Sequence, residues 1–277
     1  MIYAYTTEKQ PQNQVVEAFA ESANARMLHV KHFLHSGIPA DASAVIFAGI
    51  LHGNSRILKE CKSKKIDYYY IDHAYFNSGY APPTWMRITK NGFVQNNTVN
   101  NDSERWDRYF NKPLKAYNYQ KNPNILILPP SDAVTRTFNC HAWLKTVIRN
   151  IRLQTDRPII VRQKSGPVLD SMMIKTIKRN TYNYNQTINE QISKAYCVVS
   201  YNSNVAIDAL LQGIPVICSE NCAAYPLSNR IENIENLLEY KRLPLMHSLG
   251  WGQYNLSEVK DGTAFRNINT LKQVFRA

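Results

Sequence analysis

Between Val198 and Cys218 the chain reads Val-Val-Ser-Tyr-Asn-Ser-Asn-Val-Ala-Ile-Asp-Ala-Leu-Leu-Gln-Gly-Ile-Pro-Val-Ile-Cys. An apolar strand runs into a Ser/Asn-rich turn, a short amphipathic helix, and a second apolar strand after Gly-Ile-Pro. Few folds accept that order. Strands without polar alternation are buried on both faces, and a helix between them makes a parallel pair with the helix laid across the sheet. The turn places Ser200, Tyr201, Asn202 and Ser203 where the first strand ends, with Ser203 the expected N-cap of the helix. Ligands of open parallel sheets gather at the carboxyl ends of strands, and helix N-terminal amides attract phosphate. The segment therefore predicts a cradle for a phosphorylated ligand.

The same rhythm runs through most of the 277 residues. Strands are expected at Ile2 to Tyr5, Met27 to Val30, Ala44 to Ala48 and Asp67 to Ile71, with helices over Asn13 to Ala23 and Gly53 to Lys64 between them. From about Phe76 to Asn122 it breaks. Pro82-Pro83, the Asn-rich Gln95 to Asn101 and Pro113 predict loops and a hairpin excursion. It returns with strands at Ile125 to Leu128 and Pro158 to Val161, a long helix from Phe138 to Leu153, and a helix from Thr187 to Lys194. The expected fold is α/β: two Rossmann-like parallel-sheet domains facing a cleft. The expected domains are 1–122, with its insert at about 76–122, then 123–256, and a C-terminal helix 257–277 returning to the first domain.

Charge and composition narrow the partners. The net charge is +12, and from His141 to Asn180 nine Lys/Arg face only Asp156 and Asp170. With seventeen tyrosines, such a surface suits a polyanion such as nucleic acid. No apolar run approaches the roughly 20 residues a membrane span needs, and Met1-Ile-Tyr-Ala-Tyr-Thr-Thr-Glu8 is no secretory leader. The five cysteines form no CxxC pair, which predicts reduced structural thiols and a cytoplasmic setting. His29, His32 and His35 recur at i, i+3, i+6, but no carboxylate stands among them, so no metal site is expected.

Two further clusters fall at strand ends. Asp72-His73 follows Asp67-Tyr-Tyr-Tyr-Ile71: Asp72 could act as a base or stabilise positive charge, and His73 could move protons or hold phosphate. Otherwise they cap and pack a loop. Arg162 and Lys164 follow the strand ending at Val161, and two cations there can neutralise a phosphate leaving group. Asp208, on the helix after the Ser/Asn turn, could accept hydrogen bonds from ribose hydroxyls; alone, it reads as an exposed helix acid. His52-Gly53-Asn54-Ser55 forms a short turn before a helix, whose amides could face a ligand.

Taken in order, these segments resemble the capsule-polysaccharide type of GT-B glycosyltransferase, including bacterial Kdo transferases, and related phage-encoded proteins. Asp72-His-Ala-Tyr-Phe76 stands where that family has an acidic motif, and Leu128-Pro-Pro-Ser-Asp132 resembles the segment before its donor domain. Arg162-Gln-Lys164 replaces Arg-x-His-Pro, and Tyr201-Asn-Ser203 through Asp208-Ala-Leu-Leu-Gln-Gly-Ile-Pro-Val216 is similar to its Asn-Ser…Glu-Ala-Leu…Gly-Lys-Pro-Val signature. Leu249-Gly-Trp-Gly-Gln-Tyr through Phe265 resembles a segment of the phage proteins. Asp for Glu at 208, His for an acid at 73 and Lys for His at 164 depart from the pattern.

The resemblance implies a glycosyltransferase with a nucleotide-sugar donor, preferably a UDP-sugar, and no cofactor. Arg162, Lys164, Ser200, Tyr201, Asn202, Ser203 and Asp208 would bind the donor, and Asp72 and His73 would act at the anomeric carbon. Charge and aromatics favour a DNA acceptor bearing hydroxymethylated pyrimidines, contacted by Trp85, Arg87, Lys90, Trp106 and Arg108. The alternatives are a saccharide acceptor, a non-catalytic nucleic-acid-binding protein on this scaffold, and an epimerase of the same fold.

Overall fold

Both parallel sheets expected from the sequence form in the computed structural model, which describes residues 1–8, 11–78, 84–95, 102–162 and 186–270. The chain divides into two units, one of Met1–Phe110 and Met246–Ala277, the other of Asn111–Leu245.

In the first unit, β1 (Ile2–Thr6), α1 (Asn13–Ser22), β2 (Arg26–His29), α2 (Val30–Ser36), β3 (Ala44–Ala48), α3 (Asn54–Lys64) and β4 (Asp67–His73) alternate. β1 pairs in parallel with both β2 and β3, and β4 continues the parallel set beside β3. The irregular insert then contributes β5 (Trp85–Lys90), antiparallel to β4, and α4 (Glu104–Tyr109). α2 covers the histidine triplet: the His29 ring accepts the Lys31 amide and caps the helix, while His32 and His35 are exposed.

The second unit runs β6 (Asn124–Leu128), α5 (Asp132–Phe138), α6 (Trp143–Arg152), β7 (Ile159–Val161), α7 (Ile188–Ser193), β8 (Ala195–Ser200), α8 (Val205–Leu211) and β9 (Val216–Cys218). Its sheet has the order β7-β6-β8-β9, all parallel. The helix expected from Phe138 to Leu153 begins five residues later, and Phe138 instead closes the shorter helix before it. Asn139 takes a left-handed conformation (φ 51°) and ends α5, as a short polar side chain does at low cost, and α6 starts at Trp143. α6 then buries Leu144, Val147, Ile148 and Ile151 at helical spacing.

The chain returns to the first unit with α9 (Leu243–Trp251), β10 (Gln253–Asn255), α10 (Leu256–Lys260) and α11 (Thr263–Thr270). β10 pairs antiparallel with β5 and completes the order β10-β5-β4-β3-β1-β2. Val15, Val16 and Phe19 of α1 pack with Ile46, Ile71, Val259, Ala264 and Ile268 in one core. The early and late parts of the chain thus share a single apolar interior.

The unit boundaries fall at 110/111 and 245/246, whereas the sequence placed them at 122/123 and 256/257. Residues 111–122 pack on the second sheet: the Lys115 N–H donates to the Leu211 carbonyl (2.9 Å) and the Asn118 N–H to that of Gly213 (3.4 Å). This crossing explains the glycine of Gln-Gly-Ile-Pro. Gly213 has φ +77°, and a Cβ there would fall 2.2 Å from the Ala116 carbonyl oxygen. At the other boundary, β10 belongs to the first sheet by its ladder to β5.

Candidate functional site

The second sheet reverses its winding between β6 and β8, and such a crossover leaves a crevice outside the carboxyl ends of the strands. Consecutive carbonyls of β6 hold its two neighbours there. Ile127 accepts the Arg162 N–H (2.9 Å) and Leu128 the Tyr201 N–H (3.4 Å). Arg162 and the Ser200–Ser203 turn are therefore brought to one edge, as expected. Arg162 Nη1 donates to the Gln186 carbonyl (2.8 Å) and to Gln191 Oε1 (2.9 Å), which fixes the guanidinium. Lys164 lies outside the described residues.

Within the turn, the buried Ser200 Oγ accepts the Ser203 N–H (3.0 Å), and Ser203 Oγ accepts the Val205 N–H (3.3 Å). A serine hydroxyl that accepts from the backbone keeps its own proton to donate. Ser203 does not cap α8: the N-cap is Asn204, whose side chain makes no capping bond to the helix, because Ser203 instead closes a turn onto the second residue ahead. α8 spans only seven residues, so the turn's side chains rather than a long helix dipole would have to hold an anion. Tyr201 is buried edge-on against Trp143 (5.6 Å) and its Oη accepts the Asn221 amide (3.0 Å). Burial, helped by Cys140, pushes this phenol up to about 12. Tyr201 thus shapes the turn, while Asn202 and Ser203 are partly exposed on it.

Asp208 is placed elsewhere. It lines an open depression of about 530 Å³ with Lys112, Lys115, Asn189 and Gln212, to which none of the turn residues contributes. Burial raises its carboxyl pKa and the Lys112 charge lowers it, with burial winning.

In the first unit, Asp72 and His73 end β4 as expected, but Asp72 is not a free base. Its Oδ2 accepts Arg87 Nη2 (2.7 Å) and the Tyr70 hydroxyl (2.8 Å), and its Oδ1 accepts the His73 N–H (2.8 Å). Burial pushes the carboxyl up. The Arg87 guanidinium, His73 and the Tyr70 hydroxyl outweigh it and hold Asp72 below the usual carboxylate range. An ionised, paired Asp72 positions its neighbours more readily than it takes a proton. His73 Nδ1 lies 3.5 Å from Ser78 Oγ.

The residues nominated for an acceptor surface differ in burial. Arg87 is 4% exposed and buried with Asp72, because register pairs it directly opposite that residue; Trp106 is 2% exposed, packed on Phe76 (5.0 Å). Both are withdrawn from any surface role. Trp85 packs on Phe110 (4.8 Å) and is half-buried. Lys90 bonds Asn269 (3.1 Å) and pairs with Asp67 (3.3 Å), and exposed Arg108 lies over the Tyr109 ring (5.0 Å).

Sequence reasoning missed Gln253. Buried in β10, it accepts the N–H groups of Tyr75 (2.8 Å) and Phe76 (2.9 Å) and donates to the Phe76 carbonyl (3.2 Å). It clamps the loop that follows Asp72-His73. Nearby, buried Arg105 forms an ion pair with Glu258 (2.5 Å), while Glu258 closes the capping box of α10. The Leu249–Phe265 segment was the available signal, yet nothing in its residue types told a clamp from a ligand site. Among the described residues no three His, Cys, Asp or Glu side chains group to hold a metal, and no helix is long and apolar enough to cross a membrane.

Two Rossmann-like parallel sheets, each with its crossover, define an α/β protein of the GT-B type. Among solved structures the chain resembles the beta Kdo 2,7 transferase of Thermosulfurimonas dismutans KpsC at a TM-score of 0.52 and 11% identity, over 97% of this chain and 98% of that one. The beta Kdo 2,4 transferase of the same protein gives 0.51 and 12%, over 96% and 97%. The UDP-GlcNAc 2-epimerase of Methanocaldococcus jannaschii is more distant, at a TM-score of 0.30 and 12% identity over 98% and 99%. At such identities the likeness to the transferases is one of fold. No family model matches the chain, and no curated protein matches it by sequence.

Proposed function

We propose that this chain is a glycosyltransferase that takes the sugar of a nucleotide-sugar donor and transfers it to a saccharide hydroxyl. The observation that carries the reading is the edge of the second sheet, where Arg162 and the Asn202-Ser203 turn stand at the crossover of β6 and β8. As the acceptor oxygen bonds to the anomeric carbon, the bond to the donor phosphate breaks and its electron pair leaves with the nucleotide. A fixed guanidinium and hydroxyl and amide donors stabilise that growing charge. The acceptor hydroxyl gives up its proton to solvent base as its bond forms; Asp72, held ionised by Arg87, is assigned the positioning of the loop it caps rather than proton transfer. The fold likeness to two Kdo transferases supports a saccharide acceptor. Of the five residues nominated to contact DNA, Arg87 and Trp106 are buried.

The test is an assay of the purified chain with UDP-hexoses and CMP-Kdo, offered acidic and neutral oligosaccharides and hydroxymethylated DNA, reading nucleotide release and product mass. Nucleotide release with a sugar-sized mass gain on a saccharide is expected, and Arg162→Ala should lower kcat/KM about 100-fold. Mass gain on DNA alone would replace the acceptor. No release from any donor would remove the transferase reading.

A further inference from the structure

The depression at Asp208 has no part in the reading above. It is formed within the second unit by α7, α8 and the segment 112–115. α8 joins the carboxyl end of β8 to the amino end of β9, so its last residues stand at the amino edge of the sheet. There the Lys115 N–H donates to the Leu211 carbonyl, in the stretch that leads into β6. The depression therefore extends to the edge opposite Arg162 and the Ser200–Ser203 turn, none of which lines it. Its volume of about 530 Å³ is that of clefts that take small ligands.

Two of its side chains face each other unpaired. Asp208 and Lys112 are both half-buried, and among the described residues neither side chain makes a hydrogen bond or an ion pair. Lys112 lowers the carboxyl pKa of Asp208 through its charge alone, and burial outweighs it. A half-buried carboxylate that no donor reaches is costly, so native structures rarely leave one without a reason. The neighbours are satisfied in part. Gln212 Nε2 donates to Asn189 Oδ1 (3.2 Å), which leaves Gln212 Oε1 to accept and Asn189 Nδ2 to donate. The Glu190 carboxylate is committed to the capping box of α7, where it accepts the Thr187 N–H (2.6 Å) and hydroxyl (3.0 Å).

The charges select the ligand. Lys112 and Lys115 stand against Asp208 and Glu190, so the lining carries no net charge. A cation meets the two lysines, and an anion meets the two carboxylates. A hydroxyl suits both: its oxygen accepts from Lys112 and its proton goes to Asp208. We propose that this depression is a binding site for a neutral saccharide of one or two sugar units. One hydroxyl bridges Lys112 and Asp208, and others use the open donor of Asn189 and the open acceptor of Gln212. This is not the ribose contact that the sequence suggested for Asp208, since Arg162 and the Ser/Asn turn stand at the other edge of the sheet. The site stands whether or not the chain transfers a sugar.

Nuclear magnetic resonance titration of the full chain with lactose, maltose and N-acetylglucosamine tests it, read at the side-chain amides of Asn189 and Gln212. At least one of the three sugars shifts both amides, whereas inorganic phosphate, spermidine and uridine do not. Asp208→Ala removes the acceptor from a helix that alanine suits, and Lys112→Met removes the charge while keeping the apolar stem. Each is expected to weaken sugar binding about ten-fold. The melting temperature is retained, since neither change breaks a bond within the protein. The site is wrong if no sugar shifts the amides, or if phosphate, spermidine or uridine shifts them as strongly. It is equally wrong if either folded variant binds sugar as the wild type does. Nucleotide release is measured separately, and its absence alongside intact sugar binding sinks the transferase reading and leaves this site standing.

Discussion

Asp72 shows how one neighbour decides what a carboxylate can do. Strand register sets Arg87 opposite it on β5, so the acid at the end of β4 is an ion pair with 22% of its side chain exposed. Removing one partner of a buried pair leaves a charge without compensation, and Arg87→Ala is expected to cost about 3–5 kcal/mol in denaturant unfolding. Arg108→Ala, at an exposed position, should cost within about 0.5 kcal/mol. The pH dependence carries a sign. The folded-state pKa of Asp72 lies below its unfolded value of about 4. The unfolded chain therefore takes up the proton first. The stabilisation is whole at neutral pH and is lost as pH falls through the folded value. Melting temperatures from pH 7 to 3 should show that loss in the wild type and a shallower one in Asp72→Asn.

At the scale of elements, strands and helices with a regular apolar period were legible in the sequence, and so was the Ser/Asn turn at the end of β8. Period and capping residues are local properties. What escaped depends on partners distant in sequence. β10 is three residues long and becomes a strand by pairing with β5, with Gln253 opposite Arg87 and Asn255 opposite Trp85. Asp208 reads as a neighbour of the turn in sequence, yet its side chain faces Lys112. The residues of the Leu249–Phe265 signature were visible, but their work was not, because Gln253 acts on Tyr75 and Phe76. Gln253→Ala would leave two buried N–H groups unpaired, and a loss of about 3 kcal/mol is expected in chemical denaturation. Gln253→Glu keeps the acceptor oxygens and loses only the bond to the Phe76 carbonyl, but it buries a charge, so it should rescue stability only in acid, where the carboxyl is neutral.

At the scale of the molecule, the two units differ in how the chain makes them. The second is one continuous stretch, Asn111–Leu245, with its own four-stranded sheet; the first is assembled from both ends of the chain. A fragment of 111–245 is therefore expected to fold alone, with a cooperative melt and dispersed amide resonances. A fragment of 1–110 lacks β10, Gln253, Glu258 and the core residues Val259, Ala264 and Ile268, and should not. Joining 246–277 to 1–110 by a flexible linker should restore a cooperative melt; failure of that fusion would show that the division is wrong.

The split first sheet also sets an order of events during synthesis. Its first five strands leave the ribosome before the second unit, and β10 arrives only after all of residues 111–245 have been made. At about 5–20 residues per second, that delay is on the order of ten seconds. For that interval β5 has an unpaired edge, Tyr75 and Phe76 lack their clamp, and one apolar core waits for Tyr254, Val259, Ala264 and Ile268. The second unit matures while the first is still open, and the cell must keep that open sheet from pairing with another chain until the last segment closes it.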